Sequence, residues 1–155
     1  MVRKIQDFHM DTRGWWDIGY HYLIGQDGYA YEGRGWDHQG AQVKHWNKVS
    51  LGISVMGNFM NVTPNDAALH TVKGLIDCAL QKGKLNHKHF TVHGHRDGGQ
   101  TSCPGTAYYE LIQDWPHYGG PLKPTGNDAT RQTPIIAAAL MILVSFAAFL
   151  PMVLV

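Results

Sequence analysis

Residues 50–59 read SLGISVMGNF, and their apolar run between flanking glycines is that of a buried strand. Working outward from it, Pro64 and Asn65 open a helix in which Ala68, Val72, Leu75, Ile76, Ala79 and Leu80 recur at spacings of three and four, with Gly83 as its stop. HFTVHGH (89–95) then reads as a short strand, and GTAYYELIQDWP (105–116) as a final helix closed by Pro116. Upstream, Ile18, Tyr20 and Tyr22 alternate with Gly19, His21 and Leu23 as in a strand. QDG (26–28) makes a turn, and YAYEG (29–33) is the returning strand of a hairpin. The first residues, MVRKIQDFHMD, place Val2, Ile5, Phe8 and His9 on one helical face. The resulting order is mixed α and β, with no internal repeat.

Composition narrows the function. A formal net charge of +1 with 16% charged residues gives no electrostatic basis for capturing nucleic acid or an anionic membrane surface. At 155 residues the chain is long enough for one domain with appendages. Eighteen glycines, five tryptophans and seven tyrosines suit tight turns and an aromatic-lined surface that grips a sugar or peptide.

The two ends carry separate expectations. Residues 119–134 read as a Gly/Pro/Thr linker without apolar period, and residues 1–118 as the domain it follows. Residues 135–155, IIAAALMILVSFAAFLPMVLV, contain no charged side chain. At about 1.5 Å rise per residue they are long enough to cross a bilayer core of roughly 30 Å. Asn127, Asp128 and Ala129, followed by TRQT and Pro134, have the layout of a glycolipid (GPI) anchor signal. A tail-anchored transmembrane helix is the alternative, and either one tethers the domain to a membrane on its extracellular face. The amphipathic start carries no secretory leader, so the expectation is a reading frame that begins internally.

GHRDGGQTSCPG (94–105) is the stretch that suggests chemistry. His95 lies at the end of a strand, and Cys103 follows across the Gly98–Gly99 turn, so both can converge on one ion. Catalytic zinc commonly takes three protein ligands and keeps a fourth position for water. His93, two residues before His95, is nominated by spacing as a third ligand. The spacing is equally compatible with a hydrogen-bonded histidine and an inert buried cysteine.

The stretches IQDFHMDTRGWWDIGYHYLIGQDGYAYEGRGW, SLGISVMGNF, GHRDGGQTSCPG and LIQDWPHY, in order over residues 2–118, resemble the peptidoglycan recognition proteins, relatives of zinc N-acetylmuramoyl-L-alanine amidases. The resemblance implies a central mixed β-sheet flanked by helices, an α/β (α+β) fold, with a peptidoglycan groove over a zinc (Zn2+) site. By position it makes His95 and Cys103 metal ligands, Tyr20 the catalytic tyrosine and Thr101 an assisting hydroxyl. It implies hydrolysis of the MurNAc–L-alanine amide by zinc-bound hydroxide, with Tyr20 donating to the developing oxyanion.

It also implies that His9, Arg13, Tyr20, Trp36 and Asn47 contact peptidoglycan. Gly14, Trp15 and Arg34 match the pattern for meso-diaminopimelate stem peptides, where a guanidinium pairs with the extra carboxylate. Three departures stand against the pattern. Gln42 occupies a position where the family usually has a histidine contact. The family's first zinc ligand, a histidine on an early strand, has no counterpart in these residues, and neither has the N-terminal cysteine that commonly pairs with one at the position of Cys78. Cys103 and Tyr20 favour an amidase; Gln42 and the missing ligand favour a tethered receptor or decoy that binds muropeptides without cutting them.

Overall fold

The computed structural model describes residues 1–123 and 139–145. Among the described residues, five strands form one sheet in the order β2–β1–β3–β5–β4. Its centre is β3 (Ser50–Met56), the stretch read as a buried strand, and all seven of its residues are buried. A strand buried on both faces requires cover on both sides, which explains its uninterrupted apolar character.

On one side β3 pairs in parallel with β1 (Tyr22–Ile24), through Ile53, Ser54 and Val55. β1 turns back antiparallel onto β2 (Ala30–Glu32), pairing Tyr22 with Glu32 and Ile24 with Ala30. The hairpin turn closes with the Gly28 amide donating to the Gly25 carbonyl at 3.1 Å. On the other side of β3 lies β5 (Ala139–Ser145), parallel to it from Ser50↔Ala139 to Met56↔Ser145. The outer strand β4 (Thr91–Gly94) pairs in parallel with β5, from Thr91↔Ala139 to Gly94↔Ile142.

The main helix, α2 (Asp66–Gln81), begins where the sequence places it. Asn65 caps it, its side chain accepting from the Ala68 amide at 2.9 Å. It ends at Lys82, with Gly83 at φ +67°, a conformation that glycine adopts without a Cβ penalty. Ala68, Val72, Ile76 and Ala79 are buried against Ile24, Leu51, Ile53, Val55 and Val92 in the largest core, with Leu75 and Leu80 partly buried beside them. The last helix, α4 (Thr106–Gln113), adds Tyr108 and Ile112 to the same core. The fold class is therefore the expected one, a mixed sheet flanked by helices.

Two local expectations, for residues 1–12 and 17–21, are corrected. The first helix, α1 (Val2–Asp7), passes into a wider turn at Phe8–Thr12, closed by the Arg13 amide on the Phe8 carbonyl at 3.2 Å. That i→i+5 spacing rotates the apolar face, so Ile5 and His9 are buried while Phe8 is 46% exposed. Residues 17–21 are not strand, because their amides bond elsewhere: Ile18 to the Asp17 carboxylate, Gly19 to the His9 ring and His21 to the Gly52 carbonyl. Residues 139–145, read from sequence as part of a membrane helix or anchor signal, form a strand. Among the described residues no helix is long and apolar enough to cross a membrane. The proposed linker residues 124–134, and the rest of the apolar stretch, lie outside the described residues.

Candidate functional site

Two groups of side chains meet at the loops beside β1, β3 and β4. The first is aromatic. The turn at Phe8–Thr12 carries the buried His9, whose ring lies 4.7 Å from Trp15 and 5.4 Å, edge-on, from Tyr20. Its Nδ1 accepts from the Gly19 amide at 3.2 Å. Trp15 folds so closely over Gly19 that a Cβ there would sit 2.6 Å from its ring, so no larger residue fits beneath it. Burial lowers the His9 pKa, with Arg13 and Arg34 adding repulsion, and the ring is neutral at pH 7.

Tyr20 leads from this group to the second. It packs on Val43, which Trp46 and Leu122 also cover. Asn47 holds this loop, its side-chain oxygen accepting from the Val43 amide at 2.7 Å. The Leu122 amide donates to the Asp97 carbonyl at 2.8 Å. The ring of His95, on the short helix α3 (His95–Gly98), hydrogen-bonds the backbone of Gln42. Burial lowers the His95 pKa against that bond, so this imidazole is neutral too.

The loop from Gly94 to Gly105 is clamped at several points. The Asp97 carboxylate accepts from the Gly94 amide at 2.7 Å and from Tyr109 Oη at 2.6 Å, with Tyr118 Oη at 3.3 Å. Burial and the bond to Asp97 push the Tyr109 phenol up, so it stays a donor. Arg96 stacks 4.5 Å over the Tyr109 ring and donates to the Ser102 and Cys103 carbonyls. The Arg96 amide also donates to the Cys103 carbonyl, at 3.0 Å. Thr101 turns its hydroxyl onto the Cys103 amide, 3.1 Å away. Gly105, at φ +93°, closes the loop where a Cβ would meet the Phe59 carbonyl at 2.4 Å.

The sequence-predicted residues therefore divide. His9, Trp15 and Tyr20 come together, and His95, Thr101 and Cys103 share one loop. Asn47 belongs to the segment between the two groups. Arg13 is exposed over the Phe8 ring, 5.4 Å from its centre, and Gly14 is exposed at φ +68°. Trp36 packs instead into the main core, 4.4 Å from Tyr22. Arg34 is buried: Nε donates to Ile18 O at 2.8 Å and Nη1 to Gln39 O at 2.6 Å, while Trp16 covers the guanidinium at 4.2 Å. Nη2 makes only a long 3.5 Å contact, to the Asp17 carbonyl. Gln42 is buried with its amide nitrogen on Ser50, a structural position.

Zinc was expected from the resemblance, and the donor set tests the fit. His93 is not a third ligand. Its Nδ1 bonds the Gly120 carbonyl at 2.7 Å and its Nε2 the Thr91 hydroxyl at 2.8 Å. Asp97 is committed to the loop. β5, which lies next to β4, has the sequence ALMILVS and offers no imidazole, thiol or carboxylate. Among the described residues no group of three His, Cys, Asp or Glu side chains is placed to hold a metal ion. His95 and Cys103 alone fall short of the three protein ligands of a catalytic zinc. Cys78 is a half-buried free thiol, and Cys103 is buried.

Sequence reasoning missed Asp97, Tyr109 and Tyr118, which hold the loop. The spacing Gly94-x-x-Asp97, with a carboxylate three residues after a helix start, was the available signal.

The profile of the N-acetylmuramoyl-L-alanine amidase family matches residues 2–106. Peptidoglycan recognition protein 1 of Bos indicus is 45% identical over 118 residues, covering 76% of this chain and 62% of its own. The crystal structure of human PGRP-IβC in complex with glycosamyl muramyl pentapeptide superposes with a TM-score of 0.72 at 45% identity, over 76% of this chain and 71% of that one. This chain belongs to the N-acetylmuramoyl-L-alanine amidase family, among the peptidoglycan recognition proteins. A human relative in the family carries the name N-acetylmuramoyl-L-alanine amidase itself, 41% identical over 124 residues, which are 79% of this chain and 21% of that protein. The chain thus spans about three fifths of the length of the Bos indicus relative.

Proposed function

We propose that this chain binds muropeptides of bacterial peptidoglycan outside the cell, gripping them against the His9–Trp15–Tyr20 group. The observation that carries the reading is the assembly of those three rings from the Phe8–Thr12 turn and the segment that follows it, with neutral histidines that hydrogen-bond without adding charge. Neutral rings beside half-buried aromatics suit a sugar-peptide ligand, which presents hydroxyls, amides and apolar ring faces. A preference for meso-diaminopimelate stem peptides rests on Arg34, whose Nη2 makes only a long contact within the chain.

The second reading is a zinc amidase acting on the MurNAc–L-alanine bond. Cys103, His95 and Tyr20 favour it; the two-ligand donor set of the described residues opposes it, so binding without cleavage is the reading we adopt. Calorimetry with defined muropeptides tests the choice. Saturable binding that weakens at least about tenfold, or about 1.4 kcal/mol, in Trp15→Ala is expected. Binding of neither stem-peptide type would sink the proposal. Zinc-dependent release of stem peptide from polymeric peptidoglycan, abolished by Cys103→Ser, would replace it with the amidase.

A further inference from the structure

We propose that Asn61, which the binding reading leaves unused, is an acceptor for N-linked glycan. The inference rests on that reading in one respect, the placement of the chain outside the cell. Residues 61–63 read NVT, the Asn-x-Thr acceptor triplet, and no other asparagine of the chain has serine or threonine two residues on. So short a triplet is common by chance, and the structure around it has to decide. Asn61, Val62 and Thr63 are all exposed, Val62 by 61%. They lie between β3 and α2, outside every helix and strand of the described residues.

The fold grips both sides of the triplet and leaves the triplet itself loose. Before it, the Phe59 and Met60 carbonyls accept from the Tyr108 and Ala107 amides, at 3.4 and 3.2 Å, in the first turn of α4. After it, the Asn65 amide donates to Gln26 Oε1 at 3.0 Å, and Asn65 Nδ2 to the Gln26 carbonyl at 2.7 Å. Between these anchors, among the described residues, no hydrogen bond engages Asn61, Val62 or Thr63. Substitution on Asn61 Nδ2 therefore breaks no hydrogen bond of the fold, and a bulky group there projects into solvent. Pro64, buried behind Thr63, biases that residue to extended backbone, which keeps its hydroxyl out of the helix that starts at Asp66. The donor is an oligosaccharide carried on a polyprenyl diphosphate. Asn61 Nδ2 bonds to its anomeric carbon while the anomeric C–O bond breaks. The diphosphate leaves with the electron pair, and one amide proton passes to the transferring enzyme.

Expression of the full chain behind a cleavable secretory leader in insect cells tests this, with occupancy read on leader-cleaved chain from lysate and medium combined. The leader supplies the route, so entry to the secretory pathway is not at issue. A slower-migrating form that peptide N-glycosidase collapses is expected, with Asn61 converted to aspartate in the released peptide. Because Pro64 restricts the triplet, modification of at least about one molecule in five is expected, short of all of them. Asn61→Gln and Thr63→Ala should each lower the modified fraction by about tenfold or more. Occupancy below one in five overturns the proposal, as does a glycosidase-sensitive form that survives Asn61→Gln. If either variant does not fold, the peptide mass at Asn61 of the unmodified sequence decides alone. No readout involves muropeptide, so an unmodified secreted chain sinks this inference and leaves the binding proposal standing.

Discussion

The two sides of the candidate site are held by different kinds of contact. On the His9 side, rings lean on rings and on Gly19, tied by the Gly19 amide on the His9 ring and the Trp15 amide on the His9 carbonyl. On the Gly94–Gly105 side, one buried carboxylate gathers a backbone amide and two phenols. Packing contacts degrade gradually when trimmed, whereas loss of a buried carboxylate leaves its donors without partners. The first side is thus suited to meeting ligands of varied shape, and the second to keeping His95 and Cys103 in one place.

The sharpest way to break that contrast is Asp97→Ala. It should cost about 3–5 kcal/mol of unfolding free energy by urea titration, because the Gly94 amide and two hydroxyls lose their acceptor in a buried position. Asp97→Asn should restore part of it, and a loss below about 1 kcal/mol would mean the clamp is decorative. Next comes Gly105→Ala, where positive φ and the Phe59 carbonyl combine, at about 2–3 kcal/mol in the same assay.

Acid probes the imidazoles on both sides together. His21 is buried with its Nδ1 accepting from the Gly52 amide at 2.9 Å, and burial, reinforced by Arg34, lowers its pKa to about 4 against a bond to the His38 backbone. The unfolded chain then binds the proton more tightly. The stabilisation is whole above about pH 6.5 and is lost as pH falls toward 4, up to about 3 kcal/mol. His9, His93 and His95 shift in the same direction. Urea midpoints from pH 7.5 to 4 should therefore fall, with a shallower slope in His21→Gln.

Trp15→Ala tests the other half of the contrast. Stability should change by only about 1–2 kcal/mol, since the ring is half-buried. The smallest effect is expected at Tyr108→Phe, in the core beneath the loop. Its hydroxyl is buried without a hydrogen-bond partner, so deleting it should be neutral or stabilise by up to about 1 kcal/mol in thermal melts.

Much of the fold was legible because its signals are local. The apolar run of β3, the spacing along α2 with Asn65 and Gly83 at its ends, and the 26–28 turn each state their structure within a few residues. Residues 17–21 misled because alternation implies strand, while their amides are claimed by a carboxylate, an imidazole and a distant carbonyl that no local pattern reveals. The same holds for Arg34, whose partners at Ile18 and Gln39 come together only after folding. His95 and Cys103 could be chosen from spacing and resemblance, but the commitments of His93 and Asp97 depend on Gly120, Tyr109 and Tyr118. Residues 139–145 are the strongest case: an uncharged apolar run suits a bilayer or a sheet interior equally, and nothing within it distinguishes the two.

The late position of β5 in the chain also bears on synthesis. Gly94 is made 45 residues before Ala139, which at about 5–20 residues per second separates them by roughly 2–9 seconds. Throughout that interval β3 and β4 are translated ahead of the segment that pairs with both of them in the folded sheet. Chaperone occupancy on ribosomes should accordingly peak after β4 emerges and decline once residue 145 is free.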